Sequence, residues 1–187
     1  MEYITAAGVV QRRWESKPLI ARGDWGPVMS TVRIAWGAAT GPTRMAAYDA
    51  ALAAAGAHDF NLVTVSSVLP AAASLEVVGT LPDLGAAGDR LTVVQSRVDR
   101  EPGAAGAGVA GLGWACSADG PGILYEATGP EESAVREEIR AGLEHGADLR
   151  PWSIADSDVV LQTVEPADGA HASGVVLAAF GDGDPIV

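Results

Sequence analysis

Residues 29–56, MSTVRIAWGAATGPTRMAAYDAALAAAG, decide how the rest of the chain is read. The opening MSTVRIAWG alternates, with Val32, Ile34 and Trp36 on one side, as in a strand with one buried face. Gly37 to Pro42 reads as a loop. A helix is expected over residues 43–55, closed by Gly56, because glycine tolerates the left-handed backbone of a C-cap. A strand followed by a helix that must cover a sheet face predicts an α+β protein built in layers.

Working outward, residues 61–66 read as the next strand, with β-branched Val63, Thr64 and Val65, and Pro70 ends it. Further strands are expected near 75–78, 91–98, 108–115, 123–126, 158–164 and 173–179. A second helix is expected from about Pro130 to His145. Pro130 would sit at its first position, Glu131 and Glu132 would face the positive end of its dipole, and Gly146 would close it. The tail from Gly181 to Pro185 is polar and is expected to be loose. Residues 1–28 are irregular, carry several charges and end near Gly26-Pro27. Two origins fit them: a leader foreign to the native chain, whose true start is Met29, or a genuine surface extension. The first is favoured. Residues 29–187 then form a single domain.

With 187 residues, 48% of them hydrophobic, the chain can bury a core and is not disordered. It carries 24 Asp and Glu against 12 Lys and Arg, a net charge of −12. Its one lysine is Lys17. Such an acidic surface speaks against nucleic acid as a partner, since phosphate binding needs a basic patch, and against an anionic membrane. Many acids, much alanine and almost no lysine also match a salt-loving source, where salt screens acid–acid repulsion. An acidic protein from a GC-rich genome is the plainer alternative. No apolar run is long enough to span a membrane, and the N-terminus lacks the layout of a signal peptide, so a cytoplasmic location is expected. The single Cys116 cannot form an internal disulfide, and His58, His145 and His171 lack zinc-ligand spacing, so no metal is expected.

Four polar positions stand out. Ser66-Ser67 lies where a strand enters a turn enforced by Pro70. There the Ser67 hydroxyl can attack the Ser66 carbonyl, shift the acyl group from nitrogen to oxygen, and eliminate to leave a pyruvoyl group at position 67. A serine pair at a strand end is more often a plain turn. Asp49 shares a helical spacing with Met45, Leu52 and Ala53, an otherwise apolar set. A carboxylate there needs a partner, either an arginine of the chain or a guanidinium ligand, whose planar fork matches it. Glu126 ends an apolar strand in GILYEATG, where an acid is usually solvent-facing but can also move a proton. Asn61 has the parity of Ser67 but lies roughly 20 Å away along a straight strand. It can act at Ser67 only if the strand bends or a neighbouring subunit supplies it; a turn asparagine is the plainer reading.

Taken together, VRIAWGAATGPTRMAAYDAALAAAG, FNLVTVSSVLPAAASLE, GILYEATG, RPWSIADSDVVLQTVE and VVLAAF resemble the pyruvoyl-dependent arginine decarboxylases of archaea, in particular the haloarchaeal type, over roughly residues 29–180. The NLxxxSSxxP stretch is the specific part. The resemblance implies a four-layer αββα sandwich that assembles as a trimer of cleaved αβ protomers, with active sites between subunits. The β chain would end at Ser66 and the α chain begin at Ser67. Ser67 would become the covalent pyruvoyl cofactor, Asn61 and Glu126 would assist self-cleavage, and Glu126 would act again in catalysis. Asp49 would hold the substrate guanidinium, and Met45 and Leu52 would line its methylenes. The implied reaction turns arginine into agmatine and CO₂ through a Schiff base on the pyruvoyl group. The segment Ala57-His58-Asp59 departs from the glycine-containing loop of relatives.

Two alternatives are a decarboxylase of another amino acid such as histidine, and an uncut, non-catalytic trimer. Gly106, Gly108 and Gly111 spell GxGxxG, but residues after Gly111 read as strand, so the nucleotide-binding reading fails for want of a helix.

Overall fold

The computed structural model describes Glu2–Ile4, Val10–Arg12 and residues 31–186 apart from 72 and 119. The expected start at Met29 lies outside the described residues. Near the N-terminus, Glu2–Ile4 (β1) and Val10–Arg12 (β2) pair antiparallel.

Strand β3 (Thr31–Gly41) leads into helix α1 (Arg44–Ala55). The helix begins where Thr43 Oγ1 accepts from Ala46 N at 3.1 Å and ends where Gly56 takes φ 78°. Strands β4 (Asn61–Thr64), β5 (Val68–Leu69), β6 (Ser74–Gly79), β7 (Arg90–Arg100), β8 (Gly108–Ser117) and β9 (Gly122–Gly129) follow. Helix α2 (Glu132–Asp148), β10 (Ile154–Val164) and β11 (His171–Asp184) complete the chain. One sheet has the order β4-β7-β11-β3-β6, the other β10-β8-β9-β5. Only β3–β6 and β4–β7 are parallel within these two sheets.

Three apolar clusters define the layers. Ala51, Leu52 and Ala55 of α1 pack on Leu91, Val93, Val175 and Leu177 of the five-stranded sheet. Val32, Ile34, Val94, Val176 and Ala178 of that sheet meet Leu112, Trp114 and Leu124 of the other. Val135, Ile139 and Leu143 of α2 cover Val109, Ala115, Ile123 and Ala127 on the far side. Each large aliphatic side chain fully buried in these clusters contributes about 1.5–3 kcal/mol. Ser96 is the polar exception between the sheets. Its hydroxyl donates to Ala127 O at 2.9 Å and accepts from Gly111 N at 3.2 Å, tying one sheet to the other with its hydrogen bonds satisfied.

The expected loop at 37–42 is strand through Gly41. Glycine there serves packing: a Cβ on Gly37 would stand 2.7 Å from Ala55 N, and one on Gly41 2.5 Å from Ala47 N. The bare backbone of β3 lets α1 lie directly on it, through Ala47, Ala51 and Ala55. Gly146 does not end α2, which continues to Asp148. A Cβ at Gly146 would meet Ile123 Cδ1 at 2.8 Å, so this glycine too makes room for a sheet side chain. Pro130 precedes the N-cap Glu131 and is not the first helical residue. The tail is not loose up to Asp184: Gly183 N donates to Leu84 O at 2.7 Å, and Arg33 and Arg90 pair with Asp182 and Asp184. Gly106 and Gly108 lead into β8, with no helix after them.

Candidate active site

The two sheets are joined through residues 65–68. Strand β4 runs beside β7 at the edge of the five-stranded sheet, and Val65 N still donates to Val93 O at 3.0 Å. Two residues later the chain belongs to the other sheet, where Leu124 N donates to Ser67 O at 2.8 Å and Val68 stands opposite Ile123. Ser66 is thus the crossing between two anchored ends. Its carbonyl accepts a hydrogen bond from Val68 N at 2.9 Å, a turn closed around Ser67.

The register that places Val68 against Ile123 also decides what the Ser67 side chain meets. Ser67 Oγ donates to Glu126 Oε2 at 3.0 Å. Glu126 sits on β9 opposite Leu112 and is solvent-exposed in the single chain. A hydroxyl on a carboxylate, next to a carbonyl that is itself hydrogen-bonded, is an arrangement fit for attack by serine with the acid as proton acceptor.

The other residues singled out from the sequence do not join this pair within one chain. Asn61 lies at the opposite end of β4. Its Nδ2 donates to Gly88 O at 2.6 Å and its backbone N to Asp89 O at 2.8 Å. Asp49, Met45 and Ala53 look outward from α1, whereas Leu52 is buried against the sheet. The seat of α1 explains the split: its inward face is the small-residue row Ala47, Ala51 and Ala55, which hydropathy spacing marks weakly. His58 is half exposed, its Nε2 3.7 Å from Asp59 Oδ1.

The sequence profile of the pyruvoyl-dependent arginine decarboxylases matches residues 31–185. The chain belongs to this family. It is 47% identical over 161 residues to the pyruvoyl-dependent arginine decarboxylase of Halobacterium salinarum, covering 84% of this chain and 98% of that protein. It is 32% identical to the protein of the same name from Pyrococcus abyssi, over 75% of this chain and 89% of the relative. For the Thermococcus kodakarensis protein the identity is 32%, over 77% and 92%.

Further groups near α1 carry no residue-type signal that singled them out in the sequence. Arg97 stacks its guanidinium 3.7 Å from the centre of the Tyr48 ring and donates from Nε to Asp99 Oδ1 at 2.9 Å. Tyr48 Oη donates to Gln95 Oε1 at 3.0 Å, Ser173 Oγ donates to Asp99 at 2.8 Å, and Arg44 lies 3.8 Å from the same carboxylate. Together they pin the first half of α1, the part that carries Met45 and Asp49. Parity was the signal available, since Gln95, Arg97 and Asp99 share that of buried Leu91 and Val93 on β7. Cys116 is free and its thiol is pushed up to about 11, by burial first and by Asp156 second. It stays a protonated, poorly nucleophilic thiol. No described helix is long and apolar enough to cross a membrane.

Proposed function

We propose that the chain is a proenzyme that parts between Ser66 and Ser67 and then decarboxylates arginine to agmatine and CO₂. The observation that carries this reading is the hydrogen bond from Ser67 Oγ to Glu126 Oε2, 3.0 Å long, beside the Ser66 carbonyl. Glu126 takes the hydroxyl proton as Ser67 Oγ attacks that carbonyl, and the acyl group moves from nitrogen to oxygen. Elimination frees the Ser66 carboxylate and leaves position 67 as the precursor of the pyruvoyl group.

The residues present fit such a group. Its amide carbonyl would be that of residue 67, already held by Leu124 N–H, and Glu126 stands next to its carbon skeleton. When formed, the pyruvoyl group supplies an electrophilic carbonyl that ties the substrate amine and draws off the electrons released with CO₂. The chain supplies the rest. Asp49 pairs with the substrate guanidinium, Met45 covers its methylenes, Leu52 supports the helix from beneath, and Glu126 returns a proton to the substrate Cα.

Asp49, Met45 and Asn61 do not meet Ser67 in one chain, so the site is read as completed between subunits of a trimer of αβ protomers. Exposed Met45, Val63, Val65, Val68 and Tyr125 supply apolar surface for that contact. Edge strand β4 would also be covered there. The cytoplasm is the proposed compartment. The test is to supply purified, processed protein with arginine, histidine and lysine and measure CO₂ and amine release. Agmatine from arginine, with the others far behind, is expected; turnover of histidine in preference to arginine would overturn the substrate assignment.

A further inference from the structure

We infer that the backbone N–H of Val68 is the oxyanion donor for self-scission, so that the turn around Ser67 holds both the bond to be cut and the group that stabilises its cutting. The inference rests on the scission proposed above and adds a catalytic group to it. Val68 N–H lies 2.9 Å from Ser66 O, the oxygen on which charge develops when Ser67 Oγ adds to the Ser66 carbonyl carbon. Because Leu124 N–H binds Ser67 O, Val68 and Ile123 form a pair without mutual hydrogen bonds, so the Val68 N–H turns away from β9 and meets the scissile carbonyl.

The surroundings keep the donor and acceptor in place. Val65 N–H holds the chain to Val93 on one side of the bond, and Leu124 N–H holds the Ser67 carbonyl on the other. Glu126 receives the proton from Ser67 Oγ at 3.0 Å. The step balances without a co-reactant. The Oγ–C bond forms, the Oγ proton passes to Glu126, and the former carbonyl oxygen carries the charge opposite Val68 N–H. Collapse then breaks the bond from Ser66 C to Ser67 N, and Glu126 returns the proton to that nitrogen. A preorganised backbone donor aimed at such an oxygen needs no reorganisation as charge appears.

An i to i+2 hydrogen bond is also an ordinary way to close a turn at a strand end. The two roles differ in what they change: a merely structural turn alters stability, whereas an oxyanion donor alters the rate of scission in a folded chain. The experiment replaces Val68 by its α-hydroxy acid in the full chain, so that the N–H becomes an ester oxygen while the side chain stays. Scission is followed by intact mass over time, alongside thermal unfolding. Scission slower on the order of 100-fold in a chain that melts like the unsubstituted one is expected. Scission at the unsubstituted rate overturns the assignment. If the ester chain does not fold, amide hydrogen exchange of Val68 in the uncut Ser67→Ala chain tests the hydrogen bond that the role requires. Protection is expected, and exchange at the rate of an open loop overturns it. An unsubstituted chain that never parts sinks both this inference and the proposed function, whereas equal rates in the two chains sink this inference alone.

Discussion

Strand β11 and the stretch from Asn61 to Val68 are opposite extremes of one molecule. β11 lies between β3 and β7, and its residues from Ala172 to Ala179 are buried, feeding apolar side chains to the layers on both sides. The stretch 61–68 lies at a sheet edge and is largely exposed. The difference teaches that the proposed scission falls where the fold can be cut without losing its core. The piece before Ser66 contributes β3, α1 and β4, and the piece after it contributes β6, β7 and β11. In the five-stranded sheet β3 is held between β11 and β6, so two fragments would remain one folded body.

That contrast can be broken at either end. The largest effect is expected at the exposed end: Ser67→Ala should leave an uncut chain with no decarboxylation. The uncut chain should still unfold in a single cooperative transition. Intact mass and denaturant unfolding check both halves, and normal cleavage in this variant would refute the assignment of Ser67. At the buried end, Gly37→Val should cost roughly 3 kcal/mol, because a side chain there runs into the backbone of α1. Denaturant melts would show it, and an unchanged midpoint would mean that α1 does not rest on β3 as described.

Asp49→Ala sharpens the comparison by touching neither end. Asp49 is exposed on α1 and makes no hydrogen bond to Ser67 or Glu126 in the single chain. Scission should proceed at nearly the parent rate, while KM for arginine rises roughly 10- to 100-fold through loss of a charge-assisted contact. Equal damage to scission and to arginine use would make Asp49 a structural residue.

Much of the fold was legible in local pattern. Gly56 closed α1 as expected because C-capping is a local backbone requirement, and the expected start at 43 proves to be the N-cap, one residue before the helix. The alternation of Val32, Ile34 and Trp36 marked the inner face of β3, since all three pack between the sheets. Glycine misled the reading where it serves packing instead of a turn. Gly37 and Gly41 read as loop and Gly146 as a helix end, yet each makes room for a neighbour that only the tertiary structure reveals. The tail read as loose because the carbonyl and arginines that fasten it lie far away in sequence.

The site was legible in part for similar reasons. Ser67 and Glu126 could be singled out by type and by family resemblance, but their meeting depends on the pairing of Val68 with Ile123, across more than fifty intervening residues. The N–H groups of Val68 and Leu124 carry no residue-type signal at all. Asn61 poses the reverse problem: its distance from Ser67 along β4 was foreseen, and within one chain the structure leaves it on the Gly88 carbonyl.

The most direct measurement is an intact-mass spectrum of the purified chain, with a chemical test for a blocked N-terminus on the larger piece. Scission at Ser66–Ser67 predicts fragments of 66 and 121 residues, since 187 − 66 = 121, the second beginning with a pyruvoyl group in place of serine. One unbroken mass with an ordinary serine at position 67 would contradict it.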